Sequence, residues 1–459
     1  MPANKMLLTV IAVTVFVVYG AATVLADDAS SVLEKYVKAD DGAFKWEVVE
    51  EMKSPLPTAK LTLLEVTSQK WHDYTWKHYM IVAVPNNITF LDHALMFATL
   101  GKIGQKPNKN ADMMTAAFMA GTAQMPICIL YQIPNQPLDP NKTAKNDGDW
   151  TEDHLIAETL VKAMETKDPT WAALLPMTKS VIKAIDAAQQ FLKKEYELDV
   201  DSFIVGGASK RGWTTWLTGA VKDPRVAALV PLIYNNLNLT AQMNGQIQTW
   251  GDFSPQIAEY TSRNLFVKGE VPSDFKSEIL KIIDPYFYLD KITVPKLLIH
   301  GTNDPYWLVD STKFYWDKVQ SPKFLVTVPG VGHQDMDKPE NLMKILPSIG
   351  VFCHYVASGS DWPTLEWDLK DKGKEWEITL QTEIPDTKKV LWTAYCDDNN
   401  FVKEQPGRVK WQSKDVGKSD VVTVPKPTDK DPKHIAFFVE ISSTLDGKKF
   451  WLTSEVWRF

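Results

Sequence analysis

Two rhythms of apolar residues run through the middle of the chain. Short unbroken apolar runs alternate with longer stretches in which apolar positions return every three or four residues. The first rhythm predicts buried strands and the second predicts helices with one packed face. Strands are expected at Tyr79–Val84, Ala94–Ala98, Pro126–Tyr131, Asp201–Val205, Arg225–Leu232, Pro295–His300 and Lys323–Val328. A long helix is expected from Leu174 to Glu195, where Met177, Val181, Ile185, Ala188 and Leu192 share a face. Strands alternating with helices predict a mostly parallel sheet covered on both sides.

The pattern breaks twice. From about 236 to 292 it becomes polar and aromatic, with Trp250, Phe253, Tyr260 and Tyr286. An insertion here predicts a cap over the carboxyl ends of the strands. Beyond about 359 the helical period vanishes. Short alternating runs follow at 375–380, 389–394, 409–411, 421–424, 434–439 and 449–453. Such spacing predicts a β-sandwich-like domain over 360–459. The expected organisation is therefore an α/β-hydrolase-like domain over 27–359, preceded by a signal segment over 1–26 and followed by an all-β domain.

That leading segment carries Lys5, an uncharged apolar run from Met6 to Tyr19, and small or medium residues at Val24-Leu-Ala26. This is the pattern of a cleaved secretory signal. An uncleaved anchor is the alternative, because Met6–Ala26 is almost long enough to span a bilayer. With cleavage, the expected location is extracellular, without stable membrane association. Three sequons fit export, at Asn87, Asn141 and Asn238.

The net charge of −7 and the absence of basic runs argue against nucleic acid as a partner. Cysteines number three, so at least one is outside any internal pair. Cys128 sits in an apolar run and reads as core filler. A Cys353–Cys396 bridge is one pairing the count allows, and it would staple the two domains. No metal or nucleotide motif occurs, so neither a metal nor another cofactor is expected. The acidic stretch at 147–153 reads as a solvated helix start, with Thr151 as N-cap.

One segment carries candidate chemistry. In Phe203-Ile-Val-Gly-Gly-Ala-Ser209-Lys-Arg-Gly-Trp213, a serine follows a buried strand and precedes a helix. A nucleophile elbow needs that placement and needs small neighbours, here Gly207 and Gly212. The spacing Gly-x-Ser-x-x-Gly is one residue longer than the usual elbow. Asp304 follows the strand at 295–300, and His333 follows the strand at 323–328. Serine, acid, histidine is the chain order of this fold. His333 would take the proton from Ser209, and Asp304 would orient the imidazole. The backbone N–H of Lys210 is one expected oxyanion donor. A second is expected from Leu100 or Gly101. Asp310 and Asp335 are rival acids.

Gly206-Gly-Ala-Ser-Lys-Arg-Gly-Trp-Thr-Thr-Trp216, Thr151-Glu-Asp-His-Leu-Ile-Ala157, Leu33–Val37 and Phe44–Val48 resemble the PhoPQ-activated pathogenicity-related family. The resemblance runs from about residue 33 to the end. Through eukaryotic members it implies a secreted protein that slows proliferation of the cells releasing it. It also maps the serine, acid and histidine onto Ser209, Asp304 and His333. It implies Gly-Gly near the oxyanion loop, where this chain has Thr99-Leu-Gly-Lys102. Three functions follow as expectations: a serine hydrolase acting on a peptide or ester substrate, a catalytically silent signal bound by a cell-surface receptor, and a carbohydrate esterase, since glucuronoyl esterases resemble the longer elbow.

Overall fold

The computed structural model describes residues 29–459 except 108–109, 139–149, 271, 361–362, 403–408 and 446. The signal segment and Asn141 lie outside the described residues. Nine strands form the main sheet among the described residues. They are β1 (Lys45–Met52), β2 (Ala59–Trp71), β3 (Tyr74–Pro85), β4 (His93–Ala98), β5 (Ile127–Leu130), β6 (Ser202–Ala208), β7 (Val226–Leu232), β8 (Lys296–Gly301) and β9 (Lys323–Val328). Their order is β1-β2-β3-β5-β4-β6-β7-β8-β9. The pairs from β1 to β5 are antiparallel, and every pair from β5 to β9 is parallel. The sheet is that of an α/β hydrolase.

Helices cover both faces. They are α1 (Ala29–Lys38), α2 (Ala111–Ala123), α3 (Glu152–Thr166), α4 (Leu174–Tyr196), α5 (Lys210–Ala220), α6 (Leu239–Trp250), the single turn α7 (Ala258–Thr261), α8 (Asp274–Ile283) and α9 (Pro339–Ser358). The two-residue period of a strand sends alternate side chains to opposite cores. On β4, Ala94, Met96 and Ala98 join the core that holds α4 and α5. Leu95 joins the other, with α2 and α9. Because both faces are covered, the strands read as unbroken apolar runs.

The chain from α6 to α8 rises over the carboxyl ends of β6, β7 and β8. Asp284, fully buried, binds this segment together. Its carboxylate accepts the N–H groups of Asn238, Leu239 and Tyr286 at 3.2, 2.7 and 3.0 Å. Burial outweighs those bonds and pushes its carboxyl up to about 6.

After α9 come β10 (Leu365–Asp371), β11 (Glu375–Thr382), β12 (Lys388–Cys396), β13 (Gln412–Gly417), β14 (Val421–Pro425), β15 (His434–Leu445), β16 (Lys448–Thr453) and β17 (Trp457–Arg458). β10, β11 and β14 form one antiparallel sheet, and the others form a second. Trp376, Ile378 and Leu380 of the first pack on Leu391, Phe437 and Val439 of the second. The back of the second sheet is covered where β15 and β16 run. Ile441, Phe450 and Leu452 enter the α2/α9 core, and Ala436 and Phe438 pack with Val309. Side-chain bonds cross the same boundary. Thr453 accepts the Thr327 N–H at 3.0 Å. Asn303 Nδ2 donates to the carbonyls of Phe401 and Val409, both at 3.3 Å. Arg458 reaches Asp310 at 3.0 Å and Thr249 at 3.1 Å.

No disulfide joins Cys353 to Cys396. Cys353 is buried on α9 in the α2/α9 core, whereas Cys396 ends β12 and packs in the separate cluster around Phe438. The staple is instead the shared apolar core. Cys128 is buried as expected, and burial pushes its thiol up to about 12. Asn87 is exposed. Asn238 is half-buried, and its amide donates to the Phe314 carbonyl at 3.1 Å, a bond that a glycan would disturb. Among the described residues, no helix is long and apolar enough to cross a membrane.

Candidate active site

Ser209 stands where β6 turns into α5. Its backbone is at φ 59°, ψ −123°, a region that L-residues avoid. The turn closes tightly because its neighbours lack side chains. A Cβ on Gly207 would lie 2.7 Å from the Arg211 backbone oxygen. One on Gly212 would lie 2.7 Å from the Leu232 oxygen and 3.0 Å from Tyr234 Cβ. The longer glycine spacing therefore meets the same packing demand, one residue later along the helix.

The three sequence candidates converge. His333 Nε2 lies 2.8 Å from Ser209 Oγ. His333 Nδ1 lies 2.7 Å from Asp304 Oδ2. Asp304 is 1% exposed, and its other oxygen accepts the Tyr306 N–H at 3.1 Å. With Nδ1–H donated to that carboxylate, the Nε2 lone pair faces the serine hydroxyl. Tyr306 and Trp307 pack on the imidazole, with centroids at 4.3 and 6.0 Å. The rival acids are occupied elsewhere. Asp310 pairs with Arg458 and Lys313. Asp335 accepts the Gly332 N–H at 3.1 Å and pairs with Lys338.

Lys210 opens α5, so its N–H has no acceptor within the helix and stands beside Ser209. Leu100 and Gly101 are placed differently from Lys210. Leu100 is 63% exposed, and Gly101 lies against the Gln132 backbone. Neither lines the cavity at Ser209.

An ionic cluster beside Ser209 is not legible as such in the sequence. Arg211 makes a two-pronged pair with Glu152 at 2.6 and 2.9 Å and also donates to the Ile133 carbonyl. Lys210 Nζ lies 3.0 Å from Asp153 and 3.3 Å from Glu152. Gln136 donates to Glu152 at 2.5 Å and accepts its N–H at 2.7 Å. Burial works against the Glu152 charge. Arg211, Lys210 and Gln136 outweigh it and hold the carboxyl down at about 2. Asp153 also accepts from Tyr260 at 2.8 Å and Tyr306 at 3.2 Å. Burial first, and Asp153 second, push both phenols up, so both remain donors.

Glu152 and Asp153 are therefore not merely solvated; residues 147–149 of the acidic stretch lie outside the described residues. Thr151 is the N-cap of α3, but its side chain makes no capping bond. The available signal was Lys210-Arg211 itself. Two cations between a buried strand and a buried helix face require nearby acids.

The family model for PhoPQ-activated pathogenicity-related protein matches residues 33–401. The chain belongs to that family. Among curated proteins, this family member is 32% identical to "Autocrine proliferation repressor protein A" of Dictyostelium discoideum over 397 residues, 82% of this chain and 76% of that protein. Among solved structures, acetyl xylan esterase from Paenibacillus sp. R4 is 14% identical, with a TM-score of 0.47 over 69% of this chain and 92% of that one. Glucuronoyl esterase from Solibacter usitatus is 12% identical, with a TM-score of 0.43 over 72% and 93%.

Proposed function

We propose that this family member is a secreted serine hydrolase that cleaves an ester, with Ser209 as nucleophile, His333 as general base and acid, and Asp304 as the orienting acid. One observation carries the reading: a serine on a strained strand–helix turn bonds to a histidine whose far nitrogen is held by a buried carboxylate. Ser209 Oγ attacks the carbonyl carbon as His333 Nε2 takes its proton. The oxyanion takes a hydrogen bond from the Lys210 N–H. Collapse expels the alcohol, which receives the proton from His333. Water, activated by the same nitrogen, then releases the acid from the acyl-serine.

An ester suits the site better than a peptide terminus. Glu152 and Asp153, the acids near Ser209, are already matched by Arg211 and Lys210. Labelling with a fluorophosphonate tests the reading. The wild type should react, and Ser209→Ala and His333→Ala should not. An unreactive wild type would end the proposal.

A second reading rests on the Dictyostelium relative's name. The protein would slow proliferation through a cell-surface receptor without catalysis. Purified Ser209→Ala added to the producing cells decides between them. Full growth inhibition by that variant separates the signal from the chemistry.

A further inference from the structure

A cleft of about 1150 Å³ opens between the main sheet and β10. On its first wall His93 opens β4, Pro295 precedes β8 and Lys323 opens β9. This is the amino end of the parallel strands, whereas Ser209 follows the carboxyl end of β6. On the second wall Leu365, Glu366, Trp367, Asp368 and Leu369 of β10 all line the cleft. Successive residues of a strand point to opposite faces, so five in a row reach one cleft only where it wraps the strand's edge. Among the described residues β10 has a strand neighbour on one side only, β11.

The register says which groups of that edge face outward. The Leu380 N–H donates to the Asp420 carbonyl at 2.8 Å, on the side of β11 away from β10. Trp367 stands opposite Leu380. In an antiparallel pair this makes their position a non-hydrogen-bonded one, so the main-chain N–H and C=O of Trp367 point out of the sheet. Those of Leu365 and Leu369 follow with the period of two. Such a row is a template for a further strand. The charge says which kind. Asp317, Glu366, Asp368, Glu383 and Glu455 line the cleft, and among the described residues Lys323 is the one lysine facing them. Of these five acids, among the described residues, Asp368 alone is in an ion pair, with the exposed Lys370 at 3.2 Å. Burial first, and Asp317 among its neighbours, push the Glu455 carboxyl up, although the Trp367 and Trp457 indoles bond to it. A cleft with this excess of one sign attracts the other.

We propose that the edge of β10 is a docking site for an extended basic peptide of a partner protein, added to the sheet as a further strand. The peptide's residues opposite Leu365, Trp367 and Leu369 make the main-chain bonds and are apolar. Those between them, opposite Glu366 and Asp368, are Lys or Arg. The contact runs about 14 Å along β10. Trp367 stacks on Trp316 at 5.4 Å, which fixes the edge against the main domain. The site is independent of Ser209 and of any hydrolysis there.

Calorimetric titration of the full chain with the peptide acetyl-VKVKV-amide tests it. Two isomers of the peptide carry N-methyl groups, one on the last two valines and the other on both lysines. The valine N–H groups face β10 and the lysine N–H groups face away, so the valine-methylated isomer should bind at least about tenfold more weakly than the lysine-methylated one. Acetyl-VEVEV-amide should not bind. Glu366 and Asp368 are exposed, so the double variant Glu366→Lys, Asp368→Lys keeps the fold, as circular dichroism checks. It should weaken VKVKV at least about tenfold and gain binding of VEVEV. No binding of VKVKV, equal binding of the two methylated isomers, or an affinity untouched by the double variant would each overturn the proposal. Sedimentation of the chain alone should show no self-association through this edge. A dimer that the double variant disperses would assign the edge to a second copy and overturn the peptide.

Discussion

Replacing Ser209 by glycine should make the protein more stable than replacing it by alanine. Both changes delete the hydroxyl and its 2.8 Å bond to His333, so that loss cancels. What separates them is Cβ. At φ 59°, ψ −123°, a residue with Cβ carries strain of about 1–3 kcal/mol, and glycine carries little. Glycine also frees the unfolded chain, which costs about 0.5–1 kcal/mol relative to alanine. The difference leaves Ser209→Gly ahead by about 1 kcal/mol. At an unstrained position the order would reverse. In a chain of this size that is a shift of about 1–2 °C in Tm. Thermal unfolding followed by the fluorescence of the 17 tryptophans resolves it. Equal stability, or a more stable alanine variant, would refute the claim that strain is stored at Ser209.

Other expectations follow from the same geometry. Asp304→Asn should lower kcat for ester cleavage by about 10⁴, through the wrong imidazole tautomer, with circular dichroism unchanged. Gly212→Ala should cost about 1–3 kcal/mol in denaturant unfolding and slow fluorophosphonate labelling, because its Cβ would strike the Leu232 oxygen. Glu152→Gln strands the buried Arg211. A fully buried break costs about 3–5 kcal/mol; with Glu152 38% exposed, solvent screening should reduce this to about 1–3 kcal/mol in urea unfolding. The pH dependence has two opposed parts. Glu152 is lowered, so its contribution is full above pH 4.5 and is lost as pH falls towards 2. Asp284 is raised from 3.8 to about 6, so the native state holds the proton more tightly. Its charge costs the fold about 3 kcal/mol above pH 6 and nothing below 3.8. Relative to Asp284→Asn, the wild type should therefore lose Tm as pH rises from 4 to 6.

Periodicity located strands buried on both faces, such as those at Ala94–Ala98 and Lys323–Val328, because an unbroken apolar run has few other uses. It missed β1 and β2. β1 has an exposed face and a bulge at Val48–Glu50, so its pattern is Lys-Trp-Glu-Val-Val-Glu-Glu-Met with no clean alternation. The alternation at 409–411 predicts a strand there, but pairing begins only at Gln412, in a polar segment whose partner is β12. Ser209, Asp304 and His333 were legible because the fold fixes both their order and their positions after strands. Glu152 and Asp153 were not. Their roles depend on which side chains a distant segment brings against them, and no local spacing encodes that.

Asn303 and Asp310 flank the acid's loop, and both are held by residues between 401 and 458. A ribosome delivers those residues after everything else at the site. Asp304's loop finds its anchors only once the residues around β12 and β17 exist, and β9, which leads to His333, likewise waits for Thr453 of β16. Synthesis thus times the site: a chain lacking residues 401–458 would carry Ser209 without the bonds that hold Asp304's loop, so the proposed hydrolysis would need those residues as well.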